Sequence, residues 1–470
     1  PALAESWLAT EGGTIWDFTL REGLTFEDGT AFNASVVKYT FDRNCNLTGT
    51  GLQEPDGPQW NMGYADIIDN VEIISDYVVR FNLHIAFAPF LQLMSCAASY
   101  MVHPDYAPLD HYVEYTEGDV RGSHPNGLGP FILANWTRVG GDDEQMRLEK
   151  NPNYWNGPEY PKADVIIIQF YSTDTALTSA MLAGDIDIAY RHMSAAQINA
   201  FRENADVRVW DGIGAAIQYM IFQQDIAPFD EVDIRQGIAA ALNKSHVTEL
   251  VFLGNADPLE TIVPAGMAYH KPSFEIYGTG ANYSYTVEMF ALHGYDADNK
   301  LEFDLYYESS GHYPQSAEQA AVYKVDLEAS GVMTVNLKFL EWSAYREQRN
   351  AGTMPVYVYG WYPDYIDPDN YAFLPFASWL NMGFNQTYPA AGIAEYDLWV
   401  EGRSATTDAA RQAAFYELQD LQAEQCSMIP LWQGRTVAVT SPSIHGVVLD
   451  ITVSWRHWLV YWGAPATTGP

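Results

Sequence analysis

From Val356 to Asn370 the chain reads Val-Tyr-Val-Tyr-Gly-Trp-Tyr-Pro-Asp-Tyr-Ile-Asp-Pro-Asp-Asn, a β-strand running into a stiff acidic loop. Val and Tyr favour extended backbone. Gly360, Pro363 and Pro368 are expected to end it. The outcome is a carboxylate, Asp364, set beside Trp361 at a strand end. A carboxylate kept from solvent must be paired, so this arrangement suits the holding of one cation, such as an ammonium group. A solvated acidic turn is the plain alternative. Asp364, Asp367 and Asp369 could also imitate the carboxylate pair of a glycoside hydrolase. They crowd a single loop, however, and the acid of such a pair needs its own apolar pocket. A calcium loop of the EF-hand kind would need a Gly and a terminal Glu at spacings this segment lacks. The 11 His are scattered, without His-Glu-x-x-His or His-x-His, and there is no Gly-x-Ser-x-Gly elbow. No pattern points to a metal or cofactor.

The elements that would position this loop are mixed α and β. Thr14–Leu20 alternates as a strand, and Asn33 is placed to cap a helix whose Val37, Thr40 and Phe41 share a face. Val71–Leu83 reads as a hairpin, Pro89–Ser95 as a short helix, and Phe131–Leu133 and Met146–Leu148 as strands. Val165–Phe170 is expected to be a buried strand. A helix after Ser172 carries Leu177, Ala180 and Met181 and stops at Gly184, with a strand at Ile186–Ile188. Ser194–Gln197 and Ser316–Gln319 both read as capping boxes. Ile234, Ile238, Ala241 and Leu242 line one helix face, and Ala320, Tyr323 and Leu327 another that ends at Gly331. Met333–Phe339 alternates as a strand, Thr407 caps a helix bearing Ala414, Leu418 and Leu421, and Pro430–Trp432 leads into closing strands.

At 470 residues two or three domains are expected. Apolar residues make up 48%, enough for packed cores. The net charge is −36, and 24 Lys and Arg against 60 Asp and Glu make scarcity of cations its main source. Such a surface repels nucleic acid and anionic membrane. It also implies a salty or acidic medium, where self-repulsion is screened or titrated. The three cysteines, Cys45, Cys96 and Cys426, form no Cys-x-x-Cys pair; Cys45 and Cys96 would make either one disulfide or two buried thiols. Asn-x-Ser/Thr sequons stand at Asn33, Asn46, Asn135, Asn243, Asn282 and Asn385. No apolar run is long enough to span a bilayer and no signal peptide is present. The chain opens at Pro1 without Met, which implies a processed or truncated start.

Several motifs in order resemble the family 5 extracellular solute-binding proteins, the oligopeptide- and dipeptide-binding components of ABC importers. They are Leu3–Trp7 with Phe18–Thr30, Gly129–Phe131 with Asn151–Trp155, and Leu182–Asp187. Pro228–Phe229 with Val232 and Ile234–Gln236, then Trp361–Asn370 and Ile429–Leu431, complete the set, so the resemblance covers nearly the whole chain. It implies an α/β fold of two lobes closing like a clam about a hinge. By analogy lobe I holds residues 1–25, 140–262 and 437–470, with 26–139 as an extra subdomain, and lobe II holds 263–436. Ligand would be enclosed between the lobes, and closure would be read by the permease subunits in the membrane. The resemblance further implies an extracellular or periplasmic protein, tethered to the membrane at full length, monomeric and not an enzyme.

Site residues carry over singly. Asp364 matches the carboxylate that pairs a peptide's α-ammonium, and Trp361 resembles the aromatic wall before it. Trp342, after Glu341, resembles a pocket Trp, and Arg349 a pocket Arg seven residues on. Core packing for the two Trp, and a surface cation for Arg349, are the plain alternatives. The chain departs from the family at Val358, where the oligopeptide branch has a second Arg, and at Ser309-Ser310-Gly311, where the dipeptide branch has its carboxylate-binding Arg before Tyr-x-Pro. A fixed clamp for the ligand carboxylate is thus missing from both places. Oligosaccharide binding is a further reading within the family, since 14 Trp and 31 Tyr suit sugar stacking.

Overall fold

A computed structural model describes residues 2–48, 62–111, 113, 125–191, 193–278, 280–377, 380–383, 394–452 and 454–464. The sequon at Asn385 lies outside them. Strands β1 (Ala4–Thr10), β2 (Ile15–Leu20), β3 (Ile68–Ser75) and β4 (Val78–Leu83) form an antiparallel sheet in the order β1-β2-β4-β3. Helix α1 (Ala34–Thr48) covers it, started by Asn33, whose Oδ1 accepts from the Ser35 amide at 2.9 Å. Val37, Thr40 and Phe41 are buried as the helical period requires. Phe18, Phe81 and Phe90, the last on α2 (Phe90–Ser95), meet in the core of this unit. Residues 4–20, which the resemblance assigns to lobe I, are hydrogen-bonded into this sheet beside 78–83.

Strands β5 (Phe131–Val139), β6 (Asp142–Lys150) and β7 (Val165–Gln169) make a second, three-stranded antiparallel sheet. Here the expectation of a buried strand fails. β7 is an edge strand, and Val165 and Ile167 are exposed on one face while Ile166 and Ile168 are half-buried on the other. A run of four β-branched residues gives no period from which to read one-sidedness.

The largest sheet has seven strands: β8 (Ile188–Tyr190), β9 (Arg208–Phe222), β10 (Ala256–Pro258), β11 (Leu301–Glu308), β12 (Met333–Leu340), β13 (Val356–Trp361) and β14 (Met428–Thr440). Its order is β10-β14-β9-β13-β11-β12, with β8 on β14. Around it lie α3 (Asp174–Ala183), α4 (Ala195–Arg202), α5 (Val232–Ala241), α6 (Tyr283–Ala291), α7 (Ser316–Ala329), α8 (Trp342–Asn350), α9 (Ala394–Ser404) and α10 (Asp408–Gln425). β11, β12 and β13 run parallel, whereas β9 is antiparallel to both of its neighbours, β13 and β14. The long β9–β14 ladder carries two register shifts, at Pro430 and between Gln433 and Arg435. A small pair, β15 (Ile444–His445) and β16 (Tyr461–Trp462), closes the chain.

Alternation along β13 divides two cores. Val356 and Val358 join Met220, Phe303, Leu305 and the Tyr323–Leu327 stripe of α7 on one face. Tyr357 and Tyr359 join Ile217, Tyr219 and Tyr345 of α8 on the other. The first core also takes in residues 220–256, so the segment before residue 262 packs with 301–358. Each fully buried aliphatic or aromatic side chain adds about 1.5–3 kcal/mol to this packing.

Local signals fare unequally. The Ser194 box forms with Gln197, Gly184 ends α3 in the left-handed region, and Thr407 caps α10. The Ser316 box does not form. The residue before α7 is Gln315, at φ 52°, and Ser316 Oγ turns instead to Glu308 and to the Tyr313 carbonyl. Gly360 lies inside β13 rather than ending it. A Cβ there would stand 2.7 Å from the Tyr313 ring and 3.1 Å from the Ile217 carbonyl, so close approach is what demands glycine. All three cysteines are free thiols; Cys96 faces Tyr64 Oη at 3.5 Å, and burial pushes Cys45 and Cys426 up to about 12.

Candidate functional site

β13 ends at Trp361, and the chain then turns through Pro363 and Pro368 into the short helical turn Asp369–Ala372. Asn370, 2% exposed, pins this turn. Its Oδ1 accepts from Trp361 Nε1 at 3.2 Å and from the Asp364 amide at 2.8 Å. One side chain therefore sets both the indole and the carboxylate that follows it.

The three loop carboxylates differ in what they touch. Asp367 accepts from Arg411 Nη2 at 2.5 Å and from the Asp369 amide at 2.9 Å. Asp369 accepts from Tyr365 Oη at 2.6 Å and Trp399 Nε1 at 2.7 Å, with Arg403 Nε at 3.5 Å. Both are committed to holding the loop. Asp364 differs: the residue is half-buried, and its Oδ2 is sealed from solvent without a hydrogen-bond partner. Burial raises its carboxyl from 3.8 to about 6, only partly offset by Asn370. A sealed, unengaged carboxylate oxygen is a costly feature unless something cationic meets it.

Trp342 opens α8 and Arg349 closes its last turn. Tyr359 links them: its ring lies 5.7 Å from Trp342, and Arg349 donates to its hydroxyl with the guanidinium 5.1 Å above the ring. Arg349 is 5% exposed and also donates to Asn350 Oδ1 at 2.7 Å. Trp342 is half-buried and meets Tyr313 edge-on at 5.8 Å. Trp361 packs edge-to-face on Phe373 at 5.5 Å. The structure thus joins Asp364 to Trp361 through Asn370, and Trp342 to Arg349 through Tyr359. Tyr359 and Trp361, two apart on β13, put the pairs on one face of the sheet. The carboxyl ends of the parallel strands β11, β12 and β13 point the same way, the end at which open α/β sheets bind ligands.

Neither Asn370 nor Tyr359 stands out by residue type within the Val356–Asn370 stretch. Asn370 had one signal, a capping-type residue closing the acidic loop. Among the described residues no three His, Cys, Asp or Glu cluster as a metal site.

The body is mixed α/β, and at the end of β13 it seals one carboxylate oxygen, Asp364 Oδ2, without a hydrogen-bond partner near Trp361. Residues 1–381 match the bacterial extracellular solute-binding proteins, family 5, and the chain belongs to that family, the substrate-binding components of ABC importers. It is 26% identical over 461 residues to di/tripeptide-binding protein 2 of Pseudomonas aeruginosa, a match covering 92% of this chain and 80% of the relative. It is 24% identical over 462 residues to heme-binding protein A of Haemophilus influenzae, covering 95% and 81%. The fold is that of the periplasmic binding protein DppA from Helicobacter pylori in complex with the peptide STSA, at TM-score 0.77 and 22% identity over 98% of this chain and 89% of that one. NikA from Brucella suis in complex with Fe(III)-EDTA superposes at TM-score 0.82 and 19% identity, over 98% and 91%. Family members are periplasmic or extracellular, and among the described residues no helix is long and apolar enough to cross a membrane.

Proposed function

We propose that this protein captures short peptides through their α-ammonium group and delivers them, as a monomer, to an ABC permease. The observation that carries this reading is the sealed, unengaged Oδ2 of Asp364 beside Trp361. Asp364 supplies the charge, and Trp361 and Trp342 supply walls that exclude water and take side chains. Peptide backbone pairs with strand edges, giving affinity with little sequence preference. Arg349 acts through Tyr359, holding its ring against Trp342, rather than by touching the ligand. With Val358 inside a core and Ser309–Gly311 in place of an Arg, the ligand carboxylate has no fixed clamp at either position, which favours a range of lengths. The two lobes are best divided where β9 and β14 pass between them, because residues 220–256 share a core with 301–358. The relatives that bind di- and tripeptides support this reading; those named for haem and for an iron chelate mark the competing ligands. Native mass spectrometry of the purified protein tests it. Co-purified peptides are expected, and a porphyrin, a sugar or a metal chelate as the sole bound species overturns it.

A further inference from the structure

Trp342, the proposed pocket wall, already carries a partner. The His312 imidazole lies flat on its indole, ring centroids 3.6 Å apart and planes 14° from parallel. His312 is exposed, yet partial burial holds its imidazole below the usual histidine range. Its backbone is held. The Glu308 carboxylate, 1% exposed, accepts from the Ser310 amide at 2.9 Å and the Tyr313 amide at 2.8 Å, one on either side of Gly311 and His312. Ser310 Oγ in turn accepts from the Trp342 amide at 3.2 Å, tying the loop to the start of α8. Gly311 sits at φ 85° with open space around it. The His312 ring also meets Tyr313 edge-on at 4.8 Å. A pinned backbone and a side chain facing solvent let His312 change rotamer without refolding its surroundings.

We infer that His312 is a displaceable gate on the Trp342 face, occupying the place that a flat ligand side chain takes over, and so a determinant of side-chain selectivity. This rests on Trp342 being a pocket wall as proposed above. An incoming aromatic ring exchanges one stacking contact for another, so its gain is reduced by what His312 gives up. A small side chain leaves His312 in place and gains nothing there.

The test pairs a ligand-free measurement with a binding series. In ligand-free protein the His312 ring protons should stand upfield of their position in Trp342→Ala, from the indole ring current; identical shifts in the two proteins overturn the stacking. Calorimetry would then compare trialanine, Ala-Phe-Ala and Ala-Ala-Phe on wild type, His312→Ala and Trp342→Ala. His312→Ala should tighten at least one Phe peptide by about 3- to 10-fold, the worth of an aromatic pair, and leave trialanine unchanged within about two-fold, while Trp342→Ala abolishes that preference. Equal changes for all three peptides, or weakened binding of the Phe peptides alone, overturn the gate and make His312 a structural or fixed wall residue. If no peptide binds wild type, the peptide reading fails, and the resonance shifts still decide whether His312 covers Trp342.

Discussion

Replacing Asp364 by Asn should move stability and affinity in opposite directions. Burial disfavours the ionised carboxylate in the folded protein, which is why it titrates near about 6 instead of 3.8. The sign follows: stability tied to the neutral form is complete below pH 4 and is lost as pH rises through 6. Asn stays neutral throughout, so ligand-free Asp364→Asn should match wild type near pH 4 and exceed it above pH 7. The displacement is worth about 2 kcal/mol once discounted for the half-exposed residue. The same substitution leaves the ligand ammonium without its counter-charge. Breaking such a pair costs about 3–5 kcal/mol, or about two to three and a half decades in Kd. In wild type a proton competes with the ligand, so binding should be nearly constant above pH 7 and about tenfold weaker at pH 5. Urea unfolding at several pH values reads the first effect, and calorimetric titration with trialanine reads the second. Identical unfolding curves at all pH values, together with an unchanged Kd, would return Asp364 to the status of a solvated turn.

Other consequences are open to measurement. Asn370→Ala removes the acceptor shared by Trp361 Nε1 and the Asp364 amide, and should cost about 1–3 kcal/mol in stability and roughly tenfold in affinity while circular dichroism stays native. Tyr365, 7% exposed, plugs the core of the β1–β4 unit beside Phe87; Tyr365→Ala should lower unfolding free energy by about 3 kcal/mol, and a loss below 0.5 kcal/mol in chemical denaturation would deny that linkage. With a net charge of −36, the thermal midpoint should rise as salt goes from about 0.1 M to about 1 M and the screening length shrinks from about 10 Å to about 3 Å; a falling midpoint would show that self-repulsion is not what limits stability.

The acidic loop and the strand before it were legible in the chain, because strand alternation, proline placement and capping residues act over a few neighbours. The same locality explains why the Ser194 and Thr407 starts read correctly. The net charge likewise follows from composition alone, whatever the fold. Which of three neighbouring aspartates stays unengaged is a different kind of fact. It depends on Arg411, Arg403 and Trp399 arriving from helices some 30 to 44 positions along the chain to occupy Asp367 and Asp369 and pass Asp364 by. The exposure of Val165 and Ile167, the loss of the Ser316 box to Glu308 and the seating of His312 on Trp342 are decided in the same way. Burial and pairing belong to surfaces that meet only after folding, and no local pattern encodes which neighbour a side chain will find.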